Sequence, residues 1–204
     1  MRSHNISNTV VPMFCTEMDG IESLHDVVVI LASNRHDLID PAILRPGRID
    51  RKIKVNRPGY EAAKSIFSIY LTPSLPVDAA EVAEHETEEA ARAALVEQGV
   101  DELFARTEET RFLEVSLRSG RQEVLYRGDL SSGAIIASVV QRAKELAIKR
   151  AIADRDSGAG IRAVDLREAV RQEYRENEVF PPSDSVEDWL KLLDYEPENV
   201  VKVT

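Results

Sequence analysis

Apolar positions recur along the chain in two rhythms, and each predicts a different kind of element. Over residues 8–18, Val10, Val11, Phe14 and Met18 share one helical face and Asp19-Gly20 closes it, so a helix is predicted. Residues 27–32 (Val-Val-Val-Ile-Leu-Ala) have no polar interruption and are rich in β-branched side chains, the pattern of a central strand buried on both faces of a parallel sheet. Asp40-Pro41-Ala42-Ile43-Leu44 reads as an N-cap, a proline at the first helical position and one short turn, stopped by Arg45-Pro46-Gly47. Ile53-Lys54-Val55 alternates like a short strand. After Pro58-Gly59 a new unit begins, with helical spacing over 61–71 and Ile66, Ile69 and Tyr70 on one face.

The stretch 72–128 opens with two prolines and runs through an acidic amphipathic helix. It closes in alternating strands, 111–117 and 121–127, around Ser119-Gly120, a hairpin pattern. Ile135, Val139, Ala143 and Leu146 then mark a helix capped by Ser131 or Ser132 and reaching about Ile152. A loop at 157–160 separates it from a further helix carrying Leu166, Ala169, Val170 and Tyr174, and Pro181-Pro182 starts a tail ending at Thr204. No internal repeat is visible.

Composition narrows the class. With 204 residues, 43% hydrophobic and 30% charged, the chain suits one or two small domains. Its longest apolar run, 27–32, falls far short of the roughly 20 residues a membrane helix needs. No signal-peptide pattern opens the chain, so a cytoplasmic protein with no membrane partner is expected. A single Cys15 excludes an internal disulfide and a cysteine zinc cluster, and the four histidines stand at no metal-ligand spacing, so no metal site is expected. The net charge of −10 is uneven: 78–110 holds eleven acids against Arg92 and Arg106, whereas 35–57 holds seven bases against three acids. An acidic run ordinarily means a solvated face, with a docking surface as the alternative. The basic segment has no aromatic side chain for base stacking, which argues against nucleic acid.

The chemistry gathers where the apolar run ends. VVVILASNR, followed by LIDPAILRPGRIDRKI, resembles the second region of homology of AAA ATPases. The upstream NTVVPMFCTEMDG, the insertion, the hairpin RFLEVSLRSGRQEVLYRGDLSSGAII and ENEVFPPSDSVEDW extend the likeness over nearly the whole chain, and are most similar to the bacterial proteasome-associated AAA ATPases. The resemblance implies an α/β fold: the C-terminal part of a P-loop AAA parallel-sheet subdomain over 1–58, then a small helical lid subdomain over 59–178. An inserted α+β hairpin element occupies 72–128 of the lid, and 179–204 form a C-terminal tail. A plain lid runs from its first helix to the next without such an insertion, which favours the proteasomal branch over another unfoldase branch.

It also assigns roles. Asn34 corresponds to sensor 1, an amide that donates to a γ-phosphate oxygen and accepts from the attacking water; by itself it also reads as a turn cap. Arg45 and Arg48, flanking Pro46-Gly47, correspond to arginine fingers that reach the nucleotide of the neighbouring subunit, and otherwise read as solvated surface arginines. Asp19 resembles an inter-subunit signalling position and reads equally as a helix stop. Asp50 is placed to pair with and orient a nearby arginine, with a plain surface ion pair as an equal reading. Gly133 and Ala134 resemble the segment whose backbone approaches adenine and ribose, where a helix N-terminus supplies N–H groups; an ordinary cap is the alternative.

The implied cofactor is ATP with Mg2+. The implied partners are identical subunits in a hexameric ring, protein substrates to be unfolded, and the proteasome core particle, although the docking tail expected for that contact is replaced by Lys202-Val203-Thr204. No GxxxxGK[ST] string and no apolar strand ending in Asp-Glu occur; in the family both lie upstream, so Met1-Arg2-Ser3-His4 reads as a truncated start. Sensor and finger residues refine a phosphate site that the P-loop creates, so the chain by itself is expected not to hydrolyse ATP. A non-catalytic assembly or binding fragment is the competing reading.

Overall fold

A computed structural model describes residues 4–19, 28–33, 39–45, 47–155, 159–176 and 200–203. The chain divides into two compact units, Met1–Val55 and Asn56–Thr204.

In the first unit, helix α1 (His4–Met18) contains Pro12 and begins before the predicted residue 8. Cys15 is the one buried hydrophobic side chain described in this unit. The predicted central strand is not formed: 28–33 has no regular structure, and Val28 and Ile30 are 84% and 85% exposed. Ile53-Lys54-Val55 is likewise irregular, with Ile53 and Val55 exposed. The physical reason is the same for both. A strand satisfies its backbone only through a ladder with a neighbour, and among the described residues neither segment takes part in one.

The second unit carries the core. Helix α2 (Tyr60–Tyr70) packs on α4 (Glu88–Leu103) and on α5 (Gly133–Asp154), which lies against α6 (Ala163–Glu176). Phe67, Leu95, Val100, Leu103, Ile136, Val139 and Leu166 fill the space between them and are buried to 1% exposure or less. The face of α2 differs from the one expected. Ala63, Phe67 and Leu71 point inward, while Ile69 and Tyr70 are exposed.

The acidic helix of the insertion is in fact two, the short α3 (Ala79–His85) and α4, each started by a side-chain cap. Asp78 accepts the Ala80 amide at 3.0 Å and Thr87 accepts the Ala90 amide at 3.2 Å, each filling an otherwise unpaired helix-start donor. The hairpin forms as predicted, β1 (Arg111–Leu117) against β2 (Gln122–Tyr126), antiparallel. A third strand, β3 (Val200–Val203), pairs antiparallel on the other side of β1, giving the order β2-β1-β3 where a plain tail was expected.

The acidic stretch is not a bare solvated face. Glu97 pairs with Lys64 and Glu102 with Arg171, while Asp78, 3% exposed, lies 2.8 Å from Arg162 Nε and 3.8 Å from Arg150. These contacts fasten the insertion to the helices around it. Glu84, Glu86 and Glu89 remain exposed. No described helix is long and apolar enough to cross a membrane.

Candidate functional site

The predicted residues fall into two places, one in each unit. In the first unit a run of turns carries the arginines. Asp40 Oδ1 accepts the Ala42 amide at 2.8 Å, and the Ile43 and Leu44 amides return to the Asp40 and Pro41 carbonyls at 3.0 and 3.2 Å. This is the short capped turn that Asp40-Pro41 predicted. The chain then bends again at Arg45, whose carbonyl accepts the Arg48 amide at 3.1 Å, with Gly47 at φ +90°. That left-handed conformation suits glycine, which has no Cβ to clash.

The two arginines leave this turn differently. Arg45 is exposed. Arg48 has only 13% of its side chain exposed and forms a two-pronged ion pair with Asp19 at the end of α1: Nε donates to Oδ1 at 2.7 Å and Nη2 to Oδ2. Its third prong, Nη1, donates to the Ala42 carbonyl at 2.6 Å. The fork geometry of guanidinium suits such bidentate capture. Hydrogen bonding from Arg48 holds the Asp19 carboxyl below its ordinary range, and the same bond pushes Arg48 above its own.

Of the two arginines expected to reach outward, Arg48 is thus engaged with Asp19 and the Ala42 carbonyl of its own chain. Asp50 was placed to orient an arginine; the contact described for it is with the turn backbone, Oδ1 accepting the Gly47 amide at 3.3 Å. Asn34 and Pro46 lie outside the described residues. Charge alone could have suggested the Asp19–Arg48 pair, but no spacing rule joins positions 29 apart.

In the second unit, Ser132 caps α5 by accepting the Ile135 amide at 3.2 Å, and Gly133 and Ala134 open the helix. A side chain at Gly133 would meet nothing within 4 Å, so the glycine leaves an open approach to this helix start rather than a tight contact within the chain. The entry to the helix is tied to the start of the unit. Arg57 Nη1 donates to the Leu130 carbonyl at 2.7 Å, and Ser131, fully buried, donates through Oγ to the Pro58 carbonyl at 3.3 Å. The cap reading of Ser132 is thus met, and the open ground above Gly133 is compatible with a ligand approaching the backbone.

Comparison with known proteins follows the same division. A family model described as "ARC, AAA+ ATPase lid domain" matches residues 58–204, and one described as "ATPase family associated with various cellular activities (AAA)" matches 1–57. Similar curated proteins include a "Proteasome-associated ATPase" of Acidimicrobium ferrooxidans, 47% identical over 98% of this chain, and one of Streptomyces griseus, 46% identical over 98%. Another, from Thermomonospora curvata, is 46% identical over 98% of the chain. The chain spans 34% of the length of each of these relatives.

Proposed function

This chain belongs to the AAA+ ATPases that carry the ARC lid domain, and from that membership we propose that it supplies the part of such an enzyme that completes and senses an ATP site rather than the part that grips the phosphates. The relatives' shared name supports ATP hydrolysis and association with a proteasome. The hexameric ring of identical subunits, Mg2+ as the ion, and protein substrates for unfolding follow from the AAA resemblance.

One observation carries the assignment of residues. Arg45 is exposed at the start of a turn whose other end is clamped three residues later, because Arg48 is held by Asp19 and the Ala42 carbonyl. A guanidinium contributes to a transition state in proportion to how little it must reorganise. In this reading Arg45 is the finger that reaches a neighbouring subunit's nucleotide, Arg48 is a positioning residue that fixes its base, and Asp19 links that base to α1. Asp50 steadies the Gly47 turn. Asn34 serves as sensor 1, and Gly133 and Ala134 approach adenine and ribose from the lid.

The test replaces the matching third of the Acidimicrobium ferrooxidans relative with residues 1–204 and follows ATP turnover and ring assembly. Arg45→Ala is expected to lower turnover by about 10³ or more, the scale of an arginine finger acting in trans, with assembly intact. A chimera whose rate survives Arg45→Ala unchanged overturns the assignment. The isolated chain, having no phosphate-gripping loop, is expected to show no turnover above background; turnover abolished by Asn34→Ala contradicts that.

A further inference from the structure

The start of α5 is delivered by a short loop, and the way that loop is fastened sets Arg57 apart. A 3-10 turn, Arg127–Leu130, leads through Ser131 to the Ser132 cap and so to Gly133. Several of its fastenings lie wholly among the helices and the insertion. The Tyr174 hydroxyl, on α6, donates to the Arg127 carbonyl at 2.8 Å, and the Arg127 amide donates to the Thr110 carbonyl at 2.9 Å. Gly128 lies so close to the end of α4 that a Cβ on it would come within 2.6 Å of the Leu103 carbonyl oxygen.

Two further fastenings come from the segment by which the second unit is joined to the first. The first unit ends at Val55, so Arg57 and Pro58 stand at the very beginning of the second. They meet Leu130 and Ser131, 73 positions on, residue for residue: the Arg57 guanidinium donates to the Leu130 carbonyl, and the Ser131 hydroxyl donates to the Pro58 carbonyl. Ser131 is fully buried, so its hydroxyl is costly to leave unpaired and keeps its hold on Pro58. The Arg57 bond carries a charge and, at 2.7 Å, is the shorter of the two. A displacement of Arg57 and Pro58 therefore carries with it the two residues that immediately precede the cap.

We propose that Arg57 is a positioning residue for the lid's contact with ATP: by holding the loop at Leu130 it sets where the backbone of Gly133 and Ala134 stands, and it makes the hold on nucleotide answer to the segment that joins the two units. This rests on the reading of Gly133 and Ala134 given under the proposed function. Arg57 does not itself touch the nucleotide; it acts through the loop. The sensitivity follows from hydrogen-bond geometry, because a backbone donor works only within about 3.2 Å of its acceptor, so a shift of roughly an ångström at the helix start forfeits the contact. Adenine and ribose lie away from the phosphoryl group that reacts, so this contact is equal in the ground and transition states and its loss falls on KM rather than kcat.

The experiment uses the chimera described above, with ATP as the probe, and measures KM and kcat for turnover. Gly133→Val tests the underlying reading. Nothing in this chain lies within 4 Å of a side-chain carbon there, so an arriving ligand is what such a side chain would obstruct, and KM is expected to rise by about tenfold or more. Arg57→Met keeps an unbranched stem and removes the donors; because Arg57 is exposed and outside the core, ring assembly is expected to survive. KM should rise by about tenfold with kcat within about twofold. Ser131→Ala removes the companion bond and should move KM the same way by a smaller factor. Combining Arg57→Met with Gly133→Val should raise KM little beyond Gly133→Val alone, since both act on one contact. An unchanged KM in Gly133→Val overturns the lid reading and this proposal with it. If Gly133→Val raises KM while Arg57→Met and Ser131→Ala leave it unchanged, or if the combined variant shows the full product of the two single effects, the positioning role alone is overturned.

Discussion

Residues 28–33 and 135–140 are built from nearly the same material, four large aliphatic side chains, one alanine and one serine, yet they end in opposite environments. Val28 and Ile30 are 84% and 85% exposed, whereas Ile136 and Val139 are fully buried. The difference lies in the backbone. Residues 135–140 belong to a helix whose hydrogen bonds close within itself, so a side-chain face needs only another helix to cover it. Residues 28–33 carry a strand pattern, and a strand has no internal partners; without a neighbour its side chains gain nothing by alternating. Hydrophobicity alone therefore does not bury a segment. The second unit folds from local signals, and the first carries signals that require a sheet.

The comparison is sharpened by making the same cut on both sides. Ile136→Ala removes a fully buried side chain from the middle of α5 and should cost roughly 2–5 kcal/mol, as large-to-small core substitutions do. Ile30→Ala should change stability by less than about 0.5 kcal/mol, because its side chain is already in water. Urea denaturation of the two variants, followed by circular dichroism, measures both. Equal losses would mean that 28–33 is packed in solution, and the contrast between the units would fail.

A smaller effect tests how the insertion is joined to the helices. Gly160 sits against the chain at 76–78, where Ile161 and Val77 form a parallel bridge; a side-chain carbon placed on it would lie 2.3 Å from the Val77 carbonyl carbon and 2.4 Å from the Asp78 nitrogen. Those neighbours are backbone, so they yield only if the bridge opens. Gly160→Ala should cost an amount at the upper end of the roughly 1–3 kcal/mol typical of overpacking. Amide exchange should quicken at Asp78 and Ile161, whose N–H groups cross this junction to the Ile161 and Pro76 carbonyls at 3.1 and 2.9 Å. Unchanged exchange there would break the claim that the junction is tight.

What could be read from the sequence follows the same line. Helices α5 and α6 and the hairpin were legible because their signals are local, such as the cap at Ser132 and the periodic apolar positions on α5 and α6; the division of the acidic helix into α3 and α4, with caps at Asp78 and Thr87, was not read. The inward face of α2 was not. Positions 63, 67 and 71 are as well spaced for a helix as 66, 69 and 70, and the choice is made by α4 and α5, which local spacing does not contain. Strand β3 was missed because four residues in a tail gain meaning only beside β1. At the candidate site, the turn at 40–50 was legible from Asp40, Pro41 and Gly47. The capture of Arg48 by Asp19 was not, since it joins two loops by charge across intervening chain.

The smallest effect concerns how the acidic insertion is neutralised, and it depends on pH. Asp78 is 3% exposed, and burial pushes its carboxyl up; the Ala80 amide and the Arg162 guanidinium outweigh that and hold it below the usual value of 3.8. A carboxyl lowered by folding adds stability that is fully present above its unfolded pKa and is lost as pH falls through the folded one, because the unfolded chain then takes up the proton more readily. The second unit should accordingly weaken as pH drops below about 4. Asp78→Asn keeps an oxygen for the Ala80 amide but removes the charge that faces Arg162 and Arg150. At neutral pH it should cost an amount at the lower end of the roughly 1–3 kcal/mol that follows when a buried partner is lost. Its decline toward acid should be shallower than the parent's, so that the two stabilities converge. Parallel acid slopes would show that the insertion is held by its core contacts alone, and that its charges are matched to the lid without stabilising it.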